Sequence, residues 1–127
     1  MTIRVYYEDT DSNGVVYHAN YIKFCDRVRQ EAFFKKNIAI QDENGNLIIR
    51  KLEARYLHPS YLGDELIVTL HVKNLSKVSI DIYHEIFRKK DMQKVFVMDI
   101  QLVYVNLENK IDKMPDSFLQ LISVHQS

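Results

Sequence analysis

The chain has 127 residues, a length that suits a single domain over residues 1–127. Lys plus Arg equals Asp plus Glu, with 17 of each, so the sequence lacks the basic excess of proteins that bind nucleic acid or anionic membranes. One cysteine, Cys25, excludes an internal disulfide, and the lack of a signal peptide or of about 18 consecutive apolar residues predicts a cytoplasmic protein without a membrane span.

The first third of the chain predicts a strand, a turn and a long helix. Thr2 to Tyr7 is rich in β-branched and aromatic residues, as in a strand, and Glu8 to Gly14 is dense in turn-forming residues. Apolar residues then recur at helical spacing, with charged residues such as Arg29 in the other positions. This pattern predicts an amphipathic helix from Asn20 to Lys36, with Asn20 as its N-cap.

The rest of the chain predicts antiparallel strands. After a turn over residues 43–46, the strand candidates are Leu47 to His58, Glu65 to Leu75, Val78 to Lys89 and Lys94 to Asn106. Their connections are short, which favours antiparallel neighbours. The segment from Asp116 to Val124 predicts a short terminal helix. The predicted fold class is α+β, a five-stranded antiparallel sheet with one long helix on one face.

A single helix covers only one face of such a sheet, so apolar residues on the opposite face would stay exposed in a lone subunit. We assign to that face four valines and three isoleucines of the last two strands: Val95, Val97, Val103, Val105, Ile80, Ile82 and Ile86. Exposed apolar surface of this kind favours an oligomer.

The segment from Tyr6 to Asn20 (YYEDTDSNGVVYHAN) carries the residues best suited to chemistry. It places three carboxylates and a histidine between a strand end and a helix start. Free N–H groups at a helix N-terminus can polarise a carbonyl, and a nearby carboxylate can act as base or nucleophile on its carbon. Acidic turns also precede many helices for structural reasons, so composition alone leaves both interpretations open.

A longer sequence pattern favours the catalytic interpretation of this segment over the structural one. The run RVYYEDTDSNGVVYHANYIKFCDRVRQE, residues 4–31, resembles the signature of the YbgC-like acyl-CoA thioesterases, a branch of the 4-hydroxybenzoyl-CoA thioesterase family with the hotdog fold. Two further stretches, Tyr56 to Pro59 and Tyr61 to Leu66, look like that family's link between its second and third strands. The resemblance implies a hotdog fold and hydrolysis of the thioester bond of acyl-CoA.

The resemblance also implies roles for three residues. Asp11, the second acid of Asp-Thr-Asp, falls at the family's catalytic carboxylate. His18 falls where the chain enters the helix, at the backbone N–H that polarises the thioester carbonyl, and its side chain is assigned a part as well. The Tyr7 hydroxyl, at the end of the predicted strand, could reach the same pocket. The Ser12-Asn13-Gly14 run departs from the Ala/Pro-x-Gly or Ala-Gly-Gly of relatives but keeps the glycine.

The dense basic run has two interpretations, as the solvated end of a hairpin or as a site for the phosphates of coenzyme A. Lys and Arg suit phosphate binding, and the run consists of Arg88, Lys89 and Lys90. The histidines beyond the helix start lack metal-ligand spacing, and Cys25 lies on the apolar side of the predicted helix, so the sequence predicts neither a metal site nor a cofactor.

In the family that the chain resembles, two subunits join their sheets through the second strand, here about Leu47 to Tyr56. Dimers pair into tetramers, the active site lies between subunits, and the substrate chain lies along the helix. Members also contact acyl carrier protein or are associated with the Tol-Pal envelope system. A non-catalytic scaffold that binds acyl-CoA or acyl carrier protein is therefore one alternative. A hotdog dehydratase is another, which the Asp-Thr-Asp segment disfavours.

Overall fold

The computed structural model describes residues 1–39 and 41–123. In chain order, the elements are β1 (Thr2–Arg4), a 3-10 turn (Tyr7–Asp9), α1 (His18–Lys35), β2 (Gln41–Asp42), β3 (Gly45–Tyr56), β4 (Glu65–Val68), β5 (His71–Leu75), β6 (Ser79–Arg88), β7 (Gln93–Asn106) and α2 (Asp116–Ser123). Val124, the last residue of the predicted terminal helix, lies outside the described residues. Within them, no helix is both long enough and apolar enough to cross a membrane.

The described strands form one antiparallel sheet in the order β1-β4-β6-β7-β3-β2, with β5 paired to β6. The helix α1 packs on one face of this sheet, and its apolar side and the central strands form the core. Alternate residues of β7 face the helix, and all five are buried: Phe96, Met98, Ile100, Leu102 and Tyr104. The architecture is therefore the predicted α+β arrangement.

The helix α1 begins two residues earlier than predicted. Tyr17 has extended backbone angles and takes the N-cap position, so the prediction of Asn20 as the N-cap is wrong. Asn20 lies in the first turn, where its side chain bonds to another segment. The first strand is also shorter than predicted and ends at Arg4. A 3-10 turn follows instead, closed by the Asp9 carboxylate, which accepts the N–H of Tyr6 at 2.9 Å.

The predicted strand over residues 65–75 is divided in two. β4 ends at Val68 and β5 begins at His71. Between them, the Thr69 hydroxyl accepts the N–H of Glu85 at 2.9 Å and donates to the Glu85 carbonyl at 3.2 Å. The Thr69 hydroxyl thus takes the place of a backbone group in the hydrogen bonding to β6, and the strand is interrupted there. This division and the short strand β2 account for seven described strands where five were predicted.

The isoleucines assigned to the outer face of the sheet were placed on the wrong side. They pair directly with helix-facing residues of β7: Ile80 with Leu102, Ile82 with Ile100 and Ile86 with Phe96. Residues directly opposite each other share a face, so the three isoleucines face the helix. The four valines are buried within the single chain: Val95, Val97, Val103 and Val105. The predicted oligomer therefore gains no support from these seven residues.

Exposed apolar surface lies instead on the edge strand β3. Five of its residues pair with helix-facing positions of β7 and form what we term the β3 stripe: Leu47, Ile49, Leu52, Ala54 and Tyr56. Ile49, Leu52 and Tyr56 remain 43%, 39% and 47% exposed. The strand β2 pairs only with Gly45 and Asn46, and no other described strand covers the rest of that edge. Such an edge is a surface for pairing with another chain.

Candidate active site

The acidic segment, residues 8–17, folds into a tight hairpin before α1. The Asp11 N–H donates to the Val15 carbonyl at 2.9 Å. The Tyr17 N–H donates to the Asp9 carbonyl at 3.0 Å. These two bonds place the backbone of Asp11 beside the residues that enter the helix.

Asn20 anchors this hairpin to the helix. Its side-chain amide donates to the Asp9 carbonyl at 2.8 Å, so that carbonyl accepts two hydrogen bonds from the helix entrance. The N–H groups of His18 and Ala19 make no hydrogen bond within the part of the chain that the structure describes. Free N–H groups and the positive end of the helix dipole therefore coincide at this point, which suits a polarised carbonyl oxygen.

The Asp11 carboxylate is exposed, with one oxygen held by its own turn. Oδ1 accepts the N–H of Asn13 at 2.8 Å. Gly14 closes the turn with a φ of 77°, a left-handed conformation that favours glycine, and donates its N–H to the Asp11 carbonyl at 3.1 Å. Among described residues, Asp11 forms no ion pair. One oxygen is thus positioned while the other stays available as base or nucleophile.

His18, the first residue of α1, contacts the end of β3. The Tyr56 hydroxyl donates to the His18 carbonyl at 3.0 Å, and the two rings meet edge to face with centroids 6.3 Å apart. Tyr56 also packs on Phe96 and Tyr21, so an aromatic group supports the helix start. Partial burial raises the pKa of Tyr56, which keeps its hydroxyl a donor. Sequence analysis noted Tyr56 in a matched motif but did not predict this contact.

Tyr7 lies in the 3-10 turn and is 82% exposed. Its backbone carbonyl accepts hydrogen bonds from the N–H and the hydroxyl of Thr10. Within the described chain, no hydrogen bond joins its own hydroxyl to Asp11 or His18. The single subunit therefore pairs the segment of Asp11 with the residues that lead into His18 but leaves Tyr7 exposed.

The link between β3 and β4 bonds to the hairpin through backbone groups. The Val16 N–H donates to the Ser60 carbonyl at 2.8 Å, and Val15 forms a β-bridge with Tyr61. Ser60 is fully buried, and its hydroxyl has no partner at hydrogen-bonding geometry among the described residues. The two motifs matched in the sequence, residues 4–31 and 56–66, therefore meet at one place in the fold.

The basic run lies at the β6–β7 hairpin, where acidic side chains face each of its members. Arg88 donates to both carboxylate oxygens of Asp91, which raises the pKa of Arg88 and lowers that of Asp91. Lys89 contacts Glu65 at 3.4 Å, and Lys90 contacts Asp64 at 3.6 Å. The two lysines keep more than half of their side-chain surface exposed.

A buried polar pair in the middle of α1 was not predicted from the sequence. Arg29, placed among the polar positions, is only 8% exposed and donates to Nε2 of His84 at 2.8 Å. His84 is fully buried, and its Nδ1 lies 2.7 Å from the Thr69 carbonyl. Burial and the nearby Arg29 charge lower the pKa of His84 to about 4, so its ring is neutral and accepts from Arg29. No local signal distinguished Arg29 from the exposed charges around it.

Comparisons with known proteins identify the family of this chain. The family model described as thioesterase-like superfamily matches residues 5–122. The acyl-CoA thioesterase YbgC of Helicobacter pylori (strain J99) is 40% identical, over 97% of this chain and 98% of that protein. The acyl-CoA thioester hydrolase YbgC of Escherichia coli O6:H1 is 36% identical, over 61% of this chain and 60% of that one.

A solved structure has the same architecture. The crystal structure of a 1,4-dihydroxy-2-naphthoyl-CoA thioesterase from Synechocystis matches with a TM-score of 0.90, over 97% of this chain and 93% of that one, at 22% identity. This likeness confirms the hotdog fold that the sequence predicted.

Proposed function

The chain belongs to the thioesterase-like superfamily and is a thioester hydrolase, and from that premise we propose that Asp11 and the start of α1 form its reactive site. The substrate is acyl-CoA, and the reaction adds water across the C–S bond to give a carboxylic acid and free coenzyme A. The observation that supports this proposal is the hairpin, which pairs Asp9 and Asp11 with Tyr17 and Val15, the residues just before the free N–H groups of the helix start, and leaves the Asp11 carboxylate exposed.

The proposed chemistry begins at the thioester carbonyl. Its oxygen accepts hydrogen bonds from the N–H groups of His18 and Ala19, which stabilise the negative charge that develops there. Asp11 then either attacks the carbon, giving an anhydride that water hydrolyses, or removes a proton from a water that attacks. The coenzyme A thiolate leaves in both routes and is a good enough leaving group to need no strong acid.

Two further side chains are proposed to assist. The His18 ring is proposed to donate a hydrogen bond to the substrate or accept one from it. The Tyr7 hydroxyl is proposed to contribute one hydrogen bond, with an effect of about tenfold on the rate, the size of an ordinary hydrogen bond. Because Tyr7 is largely exposed in one subunit, its contribution would come when substrate or a second subunit covers it.

Coenzyme A carries phosphates, and we propose that the basic run binds them. Arg88, Lys89 and Lys90 lie on the hairpin that borders the β3–β4 link, the same link that supports the acidic segment. Arg88 donates hydrogen bonds to Asp91 and to the Pro59 carbonyl, so the exposed Lys89 and Lys90 are the cations available to a phosphate. A phosphate would compete with Glu65 and Asp64 for them.

We propose that the protein acts as a dimer through β3, with dimers pairing into tetramers. The uncovered edge of β3 and the exposed β3 stripe support this arrangement. Acyl carrier protein is a second proposed carrier of the acyl group, and the cytoplasm is the proposed location. The scaffold and dehydratase alternatives are disfavoured, because the relatives above are named as thioesterases or hydrolases.

Replacing Asp11 by Asn tests the proposal. The amide oxygen can still accept the Asn13 N–H, so the turn is kept, but neither base nor nucleophile remains. We expect kcat for thiol release from acyl-CoA to fall by at least about 10²- to 10³-fold, with the melting temperature unchanged. Glu8→Gln is the matched control, since Glu8 is an exposed acid of the same segment, and its kcat should stay within about twofold.

Near-wild-type turnover by Asp11→Asn would remove Asp11 from the mechanism. Binding of acyl-CoA by the wild type without any thiol release would instead support the scaffold alternative.

A further inference from the structure

The His18 side chain has few contacts that could fix its orientation. His18 is the first residue of α1 and is exposed, and its ring forms no hydrogen bond among the described residues. Inside a helix, the preceding turn makes one of the three staggered χ1 rotamers rare. The first residue of a helix has no preceding turn, so all three rotamers remain open to His18. The backbone of α1 therefore does not set the direction of the imidazole.

Two aromatic rings contact this imidazole. The centroid of the Tyr17 ring lies 4.3 Å from that of His18, at an interplanar angle of 43°. The Tyr56 ring meets His18 edge to face at 6.3 Å. In the part of the chain that the structure describes, no other ring contacts His18. Tyr17 is thus the nearer of the two rings that restrict its rotation.

The backbone of Tyr17 is fixed on both sides. Its N–H donates to the Asp9 carbonyl at 3.0 Å, and its carbonyl accepts the N–H of Asn20 at 2.9 Å. Tyr17 is the N-cap of α1 without a capping bond from its side chain. Its hydroxyl also makes no hydrogen bond to any described residue. The part of the side chain that has a contact near the site is therefore the ring and not the hydroxyl.

We propose that Tyr17 is a positioning residue, whose ring holds the His18 imidazole in the orientation that reaches the substrate. The inference rests on the proposed function, because Tyr17 acts only through the His18 side chain. Packed aromatic rings restrict each other, since rotation of either ring loses the contact between them. The anchored backbone of Tyr17 keeps its own ring in place while it does so.

The number of rotamers sets the size of the effect. Three wells about χ1 and two orientations about χ2 give the imidazole roughly six arrangements. With one productive arrangement, an imidazole released by Tyr17 spends as little as about a sixth of its time there. The remaining contact with Tyr56 reduces this loss. We therefore expect kcat/KM to fall by about three- to sixfold, and by no more than removal of His18 itself costs.

Two variants of Tyr17 separate its ring from its hydroxyl. Tyr17→Leu removes the ring, and Tyr17→Phe removes only the hydroxyl. With the acyl-CoA that the wild type hydrolyses fastest in an acetyl- to hexadecanoyl-CoA series, Tyr17→Leu should lower kcat/KM by about three- to sixfold. Tyr17→Phe should keep it within about twofold of the wild type. The melting temperature should stay unchanged, because the helix cap uses backbone groups.

Tyr83→Leu is the control. Tyr83 is next to the helix-facing Ile82 on β6, so it lies on the face of the sheet away from α1. Loss of this tyrosine ring should leave kcat/KM unchanged. Equal losses in Tyr17→Phe and Tyr17→Leu would overturn the proposal, because the hydroxyl would then be the group that matters.

A double-mutant cycle separates positioning of His18 from a general structural role. In the His18→Ala background, Tyr17→Leu should cost nothing further, because no imidazole is left to position. The same loss in both backgrounds would overturn the proposal. Wild-type turnover by His18→Ala would also overturn it but would leave the assignment of Asp11 intact.

A second readout does not depend on activity. In NMR spectra of the wild type, the ring protons of His18 should show a nuclear Overhauser effect to those of Tyr17 and a ring-current shift. Tyr17→Phe should keep that shift, and Tyr17→Leu should lose it. Absence of the effect in the wild type would overturn the proposal even if Tyr17→Leu does not fold. Failure of the proposed function gives a different result, since Asp11→Asn would then keep its turnover whatever the spectra show.

Discussion

At its first turn, α1 meets the acidic segment, whose contacts are made almost entirely by backbone groups while the Asp11 carboxylate stays exposed. About three turns later, the same helix carries Arg29, whose side chain is buried and bonded to the buried ring of His84. Both places concentrate charged and polar groups on one helix. They differ in burial, because the Asp11 carboxylate is exposed with one oxygen available, whereas the Arg29 and His84 side chains are buried against each other.

This difference separates activity from stability. An exposed carboxylate with one oxygen still available can act on a bound molecule, whereas a buried arginine and histidine that bond to each other hold the core in one arrangement. Changes at the helix start should therefore alter catalysis more than folding. Changes at the buried pair should alter folding more than catalysis.

After Asp11→Asn, Asn20→Ala should give the largest loss of activity. The variant loses the hydrogen bond to the Asp9 carbonyl, so the hairpin can shift against the helix by a fraction of an ångström to an ångström. A displacement of that size can cost about 10²-fold in rate, and we expect kcat for thiol release to fall by about that factor. Lys23→Ala, on the exposed side of the same helix, is the control. Unchanged kcat would mean that the Tyr17–Asp9 backbone bond suffices.

The buried pair should be detected through the pH dependence of stability. The pKa of His84 lies at about 4 in the fold against an ordinary value of 6.5, so the unfolded chain binds more protons between these values. The free energy of unfolding should therefore fall as the pH drops from about 6.5 to about 4, by about 3 kcal/mol. Urea unfolding across this range measures it.

The variant His84→Leu should remove most of this pH dependence, whereas His58→Asn, at an exposed position, should leave it unchanged. The same slope in His84→Leu as in the wild type would assign the effect to other groups.

The basic hairpin is an intermediate case, because its charges are exposed and also paired. In Lys89→Glu/Lys90→Glu, two cations near the proposed coenzyme A phosphates become anions. We expect KM for acyl-CoA to rise by about three- to tenfold and kcat to stay within about twofold, with a larger effect at low salt. Lys110→Glu, in the turn after β7, is the control. A fall in kcat at constant KM would contradict a phosphate-binding role.

Local sequence determined much of this fold. The sequence pattern predicted the strand β7 to within a residue at each end, and the helical period predicted α1 to within two residues at its start. The motif over residues 4–31 also identified the acidic segment and the helix entrance as one unit. These features depend on residues that are close together in the sequence. The geometry of a helix or a strand fixes the relative positions of such residues.

Only the tertiary structure decided which side chains contact each other across the fold. His84 lies 55 residues from Arg29, and Tyr56 lies 38 residues from His18, so each contact depends on strand register. Register also turned the isoleucines of β6 toward the helix, and the Thr69 hydroxyl divided a strand that looked continuous. Periodicity states which residues share a face. Only the packed sheet decides which face is covered, and by what, because burial depends on groups brought together from distant parts of the chain.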